Sequence, residues 1–314
     1  MEHKIFQLII DNNSIVIARH KSPDLDAYGS QFGLYYALKQ QFPHKLIYVI
    51  GDSNSLNQFG EFDEIDENIL SNSLVFILDT VASQMLKGVF YQKAKTLVLI
   101  DHHQNDPDIK YDYYIRDTSA SSTAEMVVKF LQINNIPINK EAAKPLFMGI
   151  VGDTGRFMHN NVKPSTFRAA ADLLETGLDI QAIYNSMYVE SLKMKKIKAD
   201  FSNSFLITKN KVAYRKNDKN FLEQYNIDSN TISRGLVNQM AGIDEIPVWV
   251  NFTFDTATNN ILCEFRSREL PVLEVAKKYG GGGHLMACGC SVSTWEETDE
   301  IINDLDKLVE EQNG

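Results

Sequence analysis

The apolar positions of this chain fall into two kinds of run. Ser14–Ala18 ("SIVIA"), 45–50, Leu74–Leu78 ("LVFIL") and 96–100 ("TLVLI") are short and continuous, rich in β-branched residues and bounded by polar turns. Such runs predict strands buried on both faces. Helix-periodic stretches lie around them. The opening "MEHKIFQLII" reads as the first turns of an amphipathic helix, and helices are expected at 30–41 and 84–93. Strands alternating with helices predict an α/β domain built on a parallel sheet with both faces covered. Helices follow at 122–134, 141–151, 164–176 and 180–198. The third of these has Pro164 at its start and Gly177 just past its end, the usual asymmetry of helix termini.

After about residue 204 the pattern changes. "FLITKNKVAYR" reads as a hairpin turning at Lys209-Asn210, and "PVWVNFTFDTATNNILCEFRSR" as two longer strands. "PVLEVAKKY" is a short helix running into four glycines, "GCSVS" a strand, and 296–312 a closing helix. This predicts a smaller, mixed-sheet α/β domain. The expected division is 1–190, a linker at 191–204, and 205–314, with the active site in the cleft between the domains.

Polar chemistry gathers where the first domain's strands end. His20 follows the first strand, with Asp24 and Asp26 close behind; Asp79 follows "LVFIL"; Asp101, His102 and His103 follow "TLVLI"; Asp153 lies just past the helix expected at 141–151. In open α/β sheets the carboxyl ends of the strands are where ligands bind. Each residue has an ordinary structural role available: Asp24 and Asp153 as turn residues, Asp79 as a helix cap. Four segments all placing such groups at element ends is a different matter. Carboxylates mixed with imidazoles suit Mn²⁺, Fe²⁺, Co²⁺ or Zn²⁺. There are more candidate ligands than one ion needs, and a carboxylate such as Asp79 can bridge two ions about 4 Å apart.

This constellation resembles the DHH family of metal-dependent phosphoesterases, over nearly the whole chain. The motifs are His20-x-x-x-Asp24-x-Asp26-Ala27-x-Gly29-Ser30, Asp79 after an apolar strand, Asp101-His102-His103, and Gly152-Asp153-Thr154-Gly155-Arg156-Phe157. Leu25 departs from the small residue common there. The resemblance implies two Mn²⁺ ions per site, Mg²⁺ or Co²⁺ being the substitutes. His20, Asp24 and Asp79 would hold one; Asp26, Asp79, His102 and Asp153 the other. A hydroxide between them would attack phosphorus. It further implies that Asp101 orients a histidine, that His103 donates a hydrogen bond to phosphate or leaving oxygen, and that Arg156 belongs to the catalytic set.

In the second domain, Gly280, Gly281, Gly282, Gly283 and His284 exceed what a helix C-cap and turn require. Glycines let a backbone approach a ligand, and successive N–H groups can cradle an anion. Arg266 and Arg268 are two apart on an expected strand, hence on one face, and Arg grips phosphate with a planar fork; the plainer reading is a solvated strand face. Arg266-Ser267 and the glycine run look like the DHH-associated substrate-binding domain of nanoRNases and phosphoadenosine-phosphate (pAp) phosphatases, with Ala287-Cys288-Gly289 where relatives often read "AAG".

Composition narrows the partners. The 314 residues are 44% hydrophobic, enough for sizeable cores. The net charge of −10 argues against gripping long duplex nucleic acid, which favours a basic stripe. Three cysteines make no disulfide framework and too poor a zinc site, which points to the cytoplasm. No run of about 18 apolar residues marks a membrane span. The resemblance implies short single-stranded RNA or DNA oligonucleotides and pAp as substrates, and the acidic surface is compatible with them. An inorganic pyrophosphatase shares the first-domain motifs, but the glycine run argues against it. A c-di-AMP/pApA phosphodiesterase is placed lower because no sensor or membrane segment is expected ahead of the motifs. A binding protein without catalysis is disfavoured because every ligand position is filled. Cleavage polarity, length cutoff and oligomeric state, a homodimer included, stay open.

Overall fold

The first sheet forms because its strands alternate between two apolar layers. In β1 (Ser14–Ala18), Ile15 and Ile17 enter one core while Val16 and Ala18 enter the other. The structure, a computed structural model, describes residues 1–88 and 90–313. Two units separate within the chain, Met1–Tyr188 and Val189–Gly314.

In the first unit, α1 (Glu2–Asp11) precedes β1, and α2 (Leu25–Gln41) and β2 (Leu46–Ile50) follow it. Then come α3 (Glu67–Ser71), β3 (Leu74–Leu78), β4 (Thr96–Asp101), β5 (Tyr113–Arg116), α4 (Thr123–Ile133), α5 (Lys140–Asp153), α6 (Pro164–Leu174) and α7 (Ile180–Tyr188). The sheet is parallel throughout, in the order β2-β1-β3-β4-β5. The chain steps from β1 outward to β2 and then back across to β3. The strand order therefore reverses between β1 and β3, and their carboxyl ends flank the crevice where open α/β sheets bind ligands.

Helices α2, α4 and α5 pack on the larger core with unusually close backbones. A Cβ on Gly29 of α2 would lie 2.5 Å from the carbonyl of Pro145 in α5. One on Gly149 of α5 would meet Ala124 of α4 at 2.8 Å and Asp26 at 3.2 Å. These glycines let α5 approach α2 and α4 closely enough for their polar ends to meet.

Three expectations for this unit change. The helix expected at 30–41 starts at Leu25, because Asp24 caps it by accepting from the backbone of Asp26 and Ala27. The helix expected at 84–93 is replaced by 3₁₀ turns at Ser83–Met85 and Phe90–Lys93, with Gly88 between them at φ +74°; Val89 lies outside the described residues. The helix expected at 180–198 breaks between Tyr188 and Leu192.

The second unit begins with α8 (Leu192–Ser204), followed by β6 (Leu206–Ile207), β7 (Val212–Asn217), α9 (Lys219–Tyr225) and α10 (Ser229–Leu236). Next are β8 (Val248–Asp255), β9 (Asn260–Ser267), α11 (Leu273–Lys278), β10 (Gly282–His284), β11 (Ala287–Val292) and α12 (Trp295–Asn313). Its sheet runs β10-β11-β9-β8-β7-β6, antiparallel except where β7 pairs with β8. One face packs on α11 and α12, the other on α8 to α10. Segment 191–204, read as a linker, is mostly α8, and its Ile197 and Phe201 are fully buried in this unit's core.

Candidate functional site

The ligand-type residues of the first unit converge at the β1/β3 switch point. Asp79 follows β3 directly and His20 lies two residues past β1, while α2 supplies Asp24 as its cap and Asp26 in its first turn. Nδ1 of His20 lies 2.7 Å from the carbonyl of Lys21. A carbonyl only accepts, so Nδ1 carries the proton and Nε2 presents its lone pair. That Nε2 is 3.4 Å from Oδ2 of Asp79 and 3.9 Å from Oδ1 of Asp24. On the other side, Nε2 of His102 is 3.5 Å from Asp153, 3.7 Å from Oδ1 of Asp79 and 4.0 Å from Asp26.

These contacts make two groups able to hold a cation, His20–Asp24–Asp79 and Asp26–His102–Asp153, with ligand atoms in each within 4.8 Å of one another. Asp79 turns one oxygen to each group. A third combination, Asp79–His102–His103, meets the same distance test. His103 is spoken for, however: its Nδ1 donates to Oδ1 of Asp101 at 2.7 Å. Asp101 is fully buried and also accepts from the His103 backbone at 3.3 Å, so it fixes the ring.

The electrostatics describe a centre built for added positive charge. Burial, reinforced by neighbouring carboxylates, pushes Asp26 and Asp79 well above the ordinary carboxylate range and raises Asp153 as well. A cation among them removes that repulsion. The Asp101 hydrogen bond raises His103 to about 9, which favours an imidazolium with Nε2–H free to donate.

Arg156 stands apart from these groups. Gly155, Arg156 and Phe157 all have left-handed φ (+53°, +65° and +64°), and the exposed Arg156 guanidinium lies 4.9 Å over the Tyr188 ring.

In the second unit the glycine run divides: Gly280 and Gly281 close the turn that ends α11, donating to the carbonyls of Lys277 and Ala276, and Gly282 and Gly283 are strand. Gly282 and Gly283 pair with Gly289 and Cys288, and a Cβ on Gly283 would come 2.8 Å from the Cys288 backbone. The run lines a cavity of about 600 Å³ together with Arg266, Glu264, Asn230 and Arg234. Glu264 accepts from Arg266 at 3.3 Å and from Arg234 at 3.1 Å, holding two guanidinium groups at one wall. The other expected residues of this domain sit elsewhere. β9 ends at Ser267, so Arg268 lies beyond the strand and bonds to the carbonyls of Ile243 and Asp244. The Ser267 hydroxyl is taken by the carbonyl of Leu270. His284 is exposed at the end of β10. Cys263, Cys288 and Cys290 are free thiols and join no cation-holding group among the described residues.

Thr123, Arg234 and Glu264 were missed in the sequence. Thr123 reads as one more residue at the start of the helix expected at 122–134, and Arg234 lies on a helix that the apolar pattern did not reveal.

A parallel sheet whose switch point collects imidazoles and buried carboxylates defines an α/β protein with groups positioned to hold a metal ion. Comparison with known proteins makes this specific. Residues 14–150 match the DHH family, N-terminal domain, and residues 218–311 match the DHHA1 domain. The bifunctional oligoribonuclease and PAP phosphatase NrnA of Bacillus subtilis (strain 168) is 32% identical over 315 residues, 99% of either chain. A probable NrnA of Streptococcus mutans is 32% identical over 298 residues, 95% of each. An exopolyphosphatase-related protein from Bacteroides fragilis shares the fold, with a TM-score of 0.87 at 24% identity, covering 99% of this chain and 95% of that one. The chain belongs to the DHH family, in the form that carries a C-terminal DHHA1 domain.

Proposed function

We propose that this protein is a Mn²⁺-dependent phosphoesterase that hydrolyses short single-stranded oligonucleotides to mononucleotides and removes the 3′-phosphate of pAp to give AMP. The observation that carries the reading is the Asp79 carboxylate, shared between the His20–Asp24 group and the Asp26–His102–Asp153 group. The names of the relatives that match almost end to end support the substrate class.

Two divalent cations there would supply charge neutralisation at the phosphoryl oxygens and water of lowered pKa. The chain's own groups do the rest. His20 presents Nε2 because Lys21 holds its other nitrogen. His103, held by Asp101, donates from Nε2 to the departing oxygen. Arg266 and the glycine strand bind the phosphate of the part that does not react. The donor set mixes imidazole with carboxylate, which favours Mn²⁺ over Mg²⁺. No helix among the described residues is long and apolar enough to cross a membrane. With its free thiols, we place the enzyme in the cytoplasm.

An inorganic pyrophosphatase would use the first unit's groups but has no need of an arginine-lined cavity of about 600 Å³. Incubation with pyrophosphate and with pApA, followed by assay of orthophosphate and AMP, separates the two. AMP from pApA with little orthophosphate from pyrophosphate is the expected result; the reverse refutes the proposal.

A further inference from the structure

The amino end of α4 reaches two of the carboxylates just described. The backbone N–H of Thr123 donates to Oδ2 of Asp26 at 2.7 Å, and that of Ala124 to Oδ1 at 2.8 Å. These belong to the helix's first N–H groups, which have no partner within the helix and lie at its positive end. The Thr123 hydroxyl, fully buried, donates to Oδ1 of Asp79 at 3.0 Å.

The turn that carries Thr123 is itself locked. Ser122 caps α4 by accepting from the backbone of Glu125 at 3.0 Å. Glu125 is not the reciprocal half of a capping box. Its carboxylate accepts instead from the Ser121 backbone (3.1 Å), the Ser121 hydroxyl (2.6 Å) and the Thr166 hydroxyl (2.8 Å). Asp79 sits on a left-handed backbone with φ +63°, and the Thr123 hydroxyl donates to its buried carboxylate.

We propose that Thr123 is a positioning residue of the metal centre. Its hydroxyl sets the rotation of the Asp79 carboxylate, so that Oδ2 serves the His20–Asp24 side and the remaining lone pair of Oδ1 serves the His102 side. This rests on the metal-centre reading above. The effect is asymmetric. The hydroxyl bonds the oxygen that faces His102, 3.7 Å away, not the one that faces His20. Losing it therefore weakens the ion on the Asp26–His102–Asp153 side first.

Thr123→Val removes the hydroxyl at nearly constant shape and keeps the backbone N–H that holds Asp26. Mn²⁺ alone is titrated into the metal-free full chain, without substrate, and free Mn²⁺ is followed by electron paramagnetic resonance. The parent should take up two ions per chain. Thr123→Val should bind one ion as the parent does and the other about 10- to 100-fold more weakly, the usual cost of losing a group that orients a ligand. Thr123→Ser, which restores the hydroxyl, should recover the second ion. Should the valine variant not fold, Thr123→Ala is read in the same titration. Two ions bound with parental affinity by the variant, equal weakening of both ions, or no rescue by serine would overturn the inference. A parent that does not take up two ions would instead remove the metal-centre reading beneath it.

Discussion

Oδ1 of Asp79 lies 3.7 Å from Nε2 of His102, while the same carboxylate turns its second oxygen toward His20 at 3.4 Å. One buried side chain thus faces both cation-holding groups, and its loss should disable both. Asp79→Ala is expected to leave less than a few per cent of activity on RNA and pAp alike, because charge stabilisation and activation of water fail together. Retention of substantial Mn²⁺-dependent turnover would mean that the groups work independently.

The raised carboxylates also set a pH dependence. Asp26 and Asp79 bind protons more tightly in the folded, metal-free protein than in the unfolded chain, whose carboxylates sit near 3.8. Their contribution to stability is present in full below 3.8 and is lost as pH rises through the raised folded values. A bound cation replaces the protons, and it competes best where protons are scarce. The rise in melting temperature on adding Mn²⁺ should therefore grow from pH 5.5 to pH 8, as scanning calorimetry at fixed ionic strength would show. A rise that shrinks over that range contradicts the assignment.

Asp101 acts through His103. With the hydrogen bond to Asp101 in place, His103 is raised from 6.5 to about 9. Asp101→Asn removes the charge that holds the proton. The alkaline limb of kcat should move to lower pH, and kcat at pH 8 should fall about 10²- to 10⁴-fold, the range for a lost proton donor. An unshifted limb in a pH–rate profile would show that His103 is not the donor.

The second unit should act through binding. Arg266→Ala removes a charge-assisted contact worth about 1.5–3 kcal/mol, so kcat/KM for pAp should fall roughly ten- to hundredfold. If the contact is equal in ground and transition states, the loss falls mainly on KM. Simple aryl phosphates should be cleaved about as fast as by the parent, with bound Mn²⁺ unchanged. Loss of Mn²⁺, or equal damage to the aryl substrate, would show that Arg266 helps build the catalytic centre.

The strands that carry the centre were legible because they are continuous β-branched runs, and every expected ligand lies at or near the end of a regular element. Other parts left weaker signals. β5 is four half-buried or exposed residues between aspartates, too short to show a period. Helices α9 and α10 are announced by Asp218 and Asp228, which cap them, but they carry few apolar residues. β10 is held by backbone pairing alone, so a glycine run hid it. Arg268 was grouped with Arg266 on the assumption that the strand continued, and it stops at Ser267. Thr123 could not be picked out, because its partner Asp79 is 44 residues away and only the fold brings them together.

If metal ions held by this chain cut short oligonucleotides, the products formed from RNAs of different length will show it. The most direct test is chromatography of the products from labelled RNAs of about two, five and twenty-four nucleotides, and from pAp, with Mn²⁺ and with EDTA. Mononucleotides from the two short RNAs and AMP from pAp are expected, with much slower turnover of the long RNA and none of these products in EDTA. Undiminished cleavage in EDTA, or equal rates on the shortest and longest RNA, would contradict the proposed function.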